Sequence, residues 1–258
     1  LATWDHNSTL VIAGFKGSGY INIAHSEGWK QNFGNVIYDC PEQTIFVVDL
    51  NGYLRNIAGD FTIRNTNNQT LRLSTTQNPS IMIGGSLIVE GTSEVWFSTN
   101  GSNTLVDIQE DFIYRSSSSG PSYFTTRGIC TMNVAGNLEL DSPGPLRMTS
   151  STADSVGARQ ATLNLNGDLK IYSGTIIAPP LGSGKGTIVF RGTGIQTVVS
   201  STTGNSFQGN LDYRIESSST VSLGNSVLSN TSGVLQVKGR IQLGSSDPGG
   251  AIQLVNQG

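Results

Sequence analysis

The sequence predicts an all-β chain folded as a parallel β-solenoid, or β-helix, with coils of about 26 residues. Three observations predict it. A ten-residue pattern recurs along the chain, alternate positions within that pattern are apolar, and no 3.6-residue periodicity with capping signals stands out.

The pattern emerges on aligning Leu54–Ile63 (LRNIAGDFTI), Ser80–Val89 (SIMIGGSLIV), Leu105–Tyr114 (LVDIQEDFIY), Thr131–Leu140 (TMNVAGNLEL) and Thr162–Ile171 (TLNLNGDLKI). Their starts are 26, 25, 26 and 31 residues apart. Val234–Leu243 (VLQVKGRIQL) is a sixth copy, and Gly209–Tyr213 (GNLDY) reads as the end of a degraded seventh. The fourth position is always Ile, Val or Leu, and the eighth and tenth are large and apolar. The second and fourth positions alternate, as do the eighth and tenth, which is the period of a strand with one buried face. The sixth position is Gly except at Glu110, and the seventh holds Asp60, Ser86, Asp111, Asn137, Asp168 and Arg240. Two strands therefore meet at a corner. The expectation is that Gly supplies an unusual φ there, and that Asp or Asn bonds its own nearby backbone.

Each unit leaves room for a third strand, such as Gln69–Leu73. One unit is then one coil, whose apolar face is buried only when neighbours stack on it. About ten coils would stack into a rod some 45–50 Å long at about 4.8 Å per coil. Residues 51–180 follow the pattern closely and 181–258 more loosely, with an extra coil expected over Gly186–Ser200. Ser116–Pro121 reads as a turn. Residues 1–50 fit least well and are expected to be a distorted first coil, a cap, or the continuation of a preceding unit.

Composition narrows the function. The chain has 258 residues and 32 Gly, only 13% of it is charged, and its net charge is −3. A cytosolic enzyme usually carries about a quarter charged residues. Ser, Thr and Asn fill the gap, and they are expected on exposed strand faces and turns. No run of Lys or Arg supports nucleic-acid or anionic-lipid binding, and no stretch is apolar enough to cross a bilayer as a helix. Leu1 stands where a Met would start a chain, so the sequence is expected to be a processed or excised fragment with export signals elsewhere. Cys40 and Cys130 are expected to be buried free thiols, about three and a half coils apart and out of disulfide reach.

Some residues also resemble a known family. Trp4 with Asn7-Ser8-Thr9-Leu10, Phe33-Gly34-Asn35, Cys40-Pro41 and Gln43-Thr44 is similar to an opening pattern in large surface proteins of Bacteroidota. Ile188-Val189-Phe190, Gly192-Thr193-Gly194, Gln196-Thr197 and Ser217–Leu223 continue the likeness. The resemblance implies tandem segments of very long, repetitive cell-surface chains, often exported by type IX secretion and including gliding-motility adhesins. It carries no catalytic residues.

Enzymatic motifs are weak. Leu181–Thr187 (LGSGKGT) has Pro179 and Gly186 where a phosphate-binding loop needs Gly and Ser or Thr, and reads as a turn. Gly192–Thr197 lacks the third Gly of a dinucleotide fingerprint. His6 and His25 have no evident catalytic partner. Asp60, Asp111 and Asp168 share a column that would suit acid–base chemistry or Ca²⁺ binding, but Ser86 and Asn137 interrupt it, and a corner-turn role is the expectation. The candidate ligand-binding residues are Trp29, Trp96 and Tyr123, as aromatics that could serve a glycan. The leading expectation is a stiff stalk or filament segment at the bacterial surface, with neighbouring segments or copies of itself as partners, surface glycans as further ones, and no cofactor. A glycan-binding β-helix and a β-helical polysaccharide-degrading enzyme are the alternatives.

Overall fold

The computed structural model describes residues 4–17, 19–22, 27–150, 159–179, 184–200, 206–224, 226–230, 233–243 and 251–254. Among these, the alternating segments form short strands that stack in parallel as a three-faced β-solenoid. Each coil gives one strand to sheet 1, one to sheet 2 and one to sheet 3 before the chain steps to the next level. Sheet 1 has ten strands, sheet 2 eight and sheet 3 nine. Eight coils thus carry a strand in all three sheets, fewer than the ten expected. Beyond them Val227–Asn230 pairs separately with Ala251–Leu254. Thr9–Ile12, Tyr20–Asn22 and Asn32–Phe33 are the first strands of the three sheets, so the described part of residues 1–50 lies in the same stack.

The stacking is in register with the sequence columns. Ile57, Ile83, Ile108, Val134 and Leu165 stand opposite one another in sheet 3, and Phe61, Leu87, Phe112, Leu138 and Leu169 do so in sheet 1. All ten are buried, and with the inner face of sheet 2 they form one continuous core. Phe97, Phe112 and Phe124 meet at its centre, with ring centroids 5.7 to 6.4 Å apart. The third strand expected near Gln69–Leu73 is present as Thr70–Arg72, and the extra coil after Ile171 contains Gly184–Phe190 and Ile195–Ser200.

One copy is placed differently from the sequence reading. Leu211–Ile215 belongs to sheet 3, pairing with Gly184–Phe190, and its true fourth-position residue is Ile215 opposite Phe190. Gly209 lies before that strand, at a different corner. Strands of sheets 1 and 3 both alternate and both can follow a Gly, so five residues do not distinguish them. Likewise Gly184–Thr187, read as part of a turn, opens a strand of sheet 3, because adding a rung satisfies its backbone groups. Residues 181–183 of that motif lie outside the described residues.

The corner between sheets 3 and 1 works by a different physics from the one expected. The seventh-position side chain bonds the coil above, not its own backbone. Asn35 Oδ1 accepts the Asp60 N–H at 2.9 Å, Asp60 Oδ1 the Ser86 N–H at 2.8 Å and Asp111 Oδ1 the Asn137 N–H at 2.7 Å. Asn137 Oδ1 accepts the Asp168 N–H at 2.8 Å, and Asp168 Oδ1 the Thr197 N–H at 2.7 Å. The glycines are there for space. Gly59, Gly85 and Gly136 have no left-handed φ, but a Cβ on each would collide with the cap oxygen of Asn35, Asp60 or Asp111 beneath. Glu110 is the exception that explains the column. It stands above Ser86, whose shorter side chain leaves room and whose hydroxyl donates to Glu110 Oε2 at 3.2 Å.

The other corners use left-handed turns and buried hydroxyls. Asn51–Gly52 and Asn100–Gly101 adopt paired positive φ values, 48° and 73° in the first and 51° and 84° in the second. Ser116 Oγ donates to the Ser93 carbonyl at 2.7 Å, and Ser98 Oγ to the Ser102 carbonyl at 2.8 Å. Many Ser and Thr side chains are accordingly buried instead of lying on exposed faces, Ser74, Ser93, Ser98, Ser116 and Ser142 among them. They satisfy backbone groups that turn away from the ladders. Cys40 and Cys130 are buried and unbridged, and burial pushes the Cys130 thiol pKa far up.

Candidate functional site

Sheet 2 carries the most distinctive outer surface. Its strands Thr70–Arg72, Glu94–Ser98, Ser122–Thr125 and Leu146–Thr149 stack in that order. Val95, Phe97 and Phe124 point inward and are buried, so Trp96 and Tyr123 point out. Register sets Arg72 opposite Trp96, Trp96 opposite Tyr123 and Tyr123 opposite Arg147. Four consecutive coils therefore line up cation, indole, phenol and cation.

The side chains interlock. The Arg72 guanidinium lies 4.7 Å from the Trp96 ring centre and 5.7 Å from that of Tyr20. Trp96 and Tyr123 meet edge to face at 5.4 Å and 79°, and Arg147 sits 5.9 Å from the Tyr123 ring centre. Such stacking holds a guanidinium in place at a modest cost in side-chain freedom. Neither Arg72 nor Arg147 forms an ion pair among the described residues. Their Nε atoms, and Trp96 Nε1, are shielded from solvent without a hydrogen-bond partner there.

Beside this column a groove of about 360 Å³ opens at the corner toward sheet 3, walled by Arg72, Trp96, Asn100, Tyr123, Thr126 and Arg127. Asn100 reaches it from the left-handed turn Asn100–Gly101. Two acids adjoin. Asp49 is fully buried, accepting bonds from the Tyr20 and Thr75 hydroxyls and, at 2.7 Å, from the Asn51 N–H. Burial, then Asp49, raises the Tyr20 pKa to about 12. Glu94 accepts the Ser118 hydroxyl at 3.0 Å, and burial raises its carboxyl above the usual range.

Of the three aromatics singled out from sequence, Trp96 and Tyr123 come together and Trp29 does not. Trp29 lies in the single turn Glu27–Lys30 of the first coil, half-buried against the core, three coils below Trp96. Arg72, Asn100, Arg127 and Arg147 carry no motif that singles them out; aligning the third strand of each coil would put Arg72, Trp96, Tyr123 and Arg147 in one column. His6 is exposed beside Asp5 at 3.7 Å, and His25 lies outside the described residues. Asp60, Asp111 and Asp168 each spend a carboxylate oxygen on a backbone cap. No family model, curated protein or solved structure matches the chain.

Proposed function

We propose that this chain is a stiff stalk or filament segment of a long secreted bacterial cell-surface protein, as its resemblance to type IX-exported, gliding-adhesin-like proteins of Bacteroidota implies. The observation that supports this most is the side-chain-to-backbone ladder from Asn35 to Thr197, thinned at Ser86, whose hydroxyl accepts the Asp111 N–H at 3.4 Å, beside a continuous core. It ties each coil to the next at a corner, where a strand ladder alone would leave the stack free to hinge. Its partners are neighbouring segments of the same chain or further copies. The commitment of the Asp column to structure supports a non-enzymatic reading.

Electron microscopy of the full-length native protein tests it. A thin fibre many times longer than this segment is expected, and a compact particle would overturn it. A second reading, a glycan-binding module, is favoured by the groove beside Trp96 and Tyr123, and both readings can hold in one adhesive rod.

A further inference from the structure

We propose that the groove on sheet 2 binds an acidic saccharide, a uronate-bearing or sulfated chain lying along the rod axis. The inference rests on the glycan-binding reading and names the class of ligand. Arg72 and Arg147 are three rungs apart in one column, roughly 14 Å at about 4.8 Å per rung. Arg72 lies in the groove wall, and Arg147 stands at the far end of the same column, against Tyr123. A periodic anion running parallel to the rod meets successive guanidiniums without bending.

The groove also selects among anions. Nucleic-acid bases need an open aromatic face, but Trp96 has Arg72 against it at 4.7 Å and the Tyr123 ring packed edge to face at 5.4 Å. An extended acidic peptide gains affinity by adding a strand to a sheet edge, and these four strands each have sheet neighbours on both sides. A saccharide needs neither. Its carboxylates or sulfates take the guanidiniums in charge-assisted bonds. Its hydroxyls meet the Asn100 amide and the Thr126 hydroxyl. Cation–π stacking has already fixed the Arg72 and Arg147 side chains, which lowers the ordering cost of binding. The chain as a whole is acidic, at −3, so attraction here is local and not a general affinity for polyanions.

The test uses the whole chain and titrates Trp fluorescence and heat with oligomers of a polyuronate, a sulfated oligosaccharide, a neutral glucan, polyglutamate and single-stranded DNA. Binding of an acidic saccharide is expected, weakened about tenfold by Arg72→Gln and by Arg147→Gln. Arg115→Gln, on sheet 1 and paired with Glu90, is expected to leave it unchanged. Thermal melts of each variant separate lost binding from lost fold. Equal loss from Arg115→Gln, or tighter binding of DNA or polyglutamate, overturns the proposal. Preference for the neutral glucan overturns the acidic class but leaves the glycan-binding reading standing, and silence toward every saccharide overturns both.

Discussion

The corner between sheets 3 and 1 and the corner between sheets 2 and 3 both carry Gly beside Asn or Asp, for opposite reasons. At the first, Asp60, Asp111 and Asn137 reach up to the next coil and Gly makes room for the cap. At the second, Asn100 and Gly101 hold a left-handed turn, and a Cβ at Gly101 would meet nothing within 4 Å. At Gly136 the limit is the space between coils and at Gly101 it is backbone torsion alone, whereas Gly52 and Gly128 on the second corner combine a positive φ with close approach of the neighbouring coil. The first corner keeps its length from Ile57–Phe61 to Leu165–Leu169 and lengthens at Phe190–Val198. The second absorbs the extra residues of the 31-residue unit, between Thr149 and Arg159.

The largest test of that difference pairs two alanines. Gly136→Ala should destabilise by about 3 kcal/mol, as overpacking against Asp111 and the Glu110 backbone. Gly101→Ala should cost about 1–2 kcal/mol, the torsional penalty alone. Urea midpoints compare them, and equal costs would merge the two corners into one mechanism.

Next comes the interrupted rung. Ser86→Asp should destabilise by about 2 kcal/mol, because the new carboxylate rises into Glu110. The double variant Ser86→Asp, Glu110→Gly should recover that loss by completing the column. A coupling of about 1–2 kcal/mol in the double-mutant cycle is expected; additive effects would break the link between cap and glycine.

Smaller again is the turn itself. Asn100→Ala should cost about 1 kcal/mol and Asn100→Gly close to nothing, since only the first forces a less suitable residue to a φ of 51°. Thermal melts read the difference, and a costly Asn100→Gly would mean the amide, not the torsion, holds the corner.

The smallest effect is electrostatic. Burial raises the Glu94 pKa above its ordinary 4.5, so the folded state binds the proton more tightly than the unfolded chain. Its contribution to stability is full below the ordinary value and falls as pH rises through the raised one. Glu94→Gln should therefore flatten the decline of stability above about pH 4.5, read from urea midpoints across pH. An unchanged slope would exclude Glu94 as its source.

Much of the fold is legible in the sequence because stacking repeats chemistry. Residues about 26 apart become neighbours, so the spacing of Ile57, Ile83 and Ile108 is enough to announce a shared column. The corner Gly and Asx are legible as positions but not as mechanism. A sequence shows that Asp60 precedes Phe61, not that its oxygen lies against the N–H of Ser86 one coil up. Leu211–Ile215 is hard to place for a related reason, since alternation is common to every strand and only pairing with Gly184–Phe190 settles the sheet.

The sequence by itself determined the solenoid: spacing, alternation and matched columns allow burial only by stacking. Tertiary structure alone decided which outward residues meet. Trp29 and Trp96 are equally aromatic in the sequence, yet only Trp96 gains Arg72 and Tyr123 as neighbours. Inward positions must repeat to fill a core, so they leave a periodic signal. Outward positions face water and are free to vary, and corners of unequal length shift their spacing. The alignment of Arg72, Trp96, Tyr123 and Arg147 is therefore written in the hydrogen-bond register of sheet 2, not in any local pattern of residues.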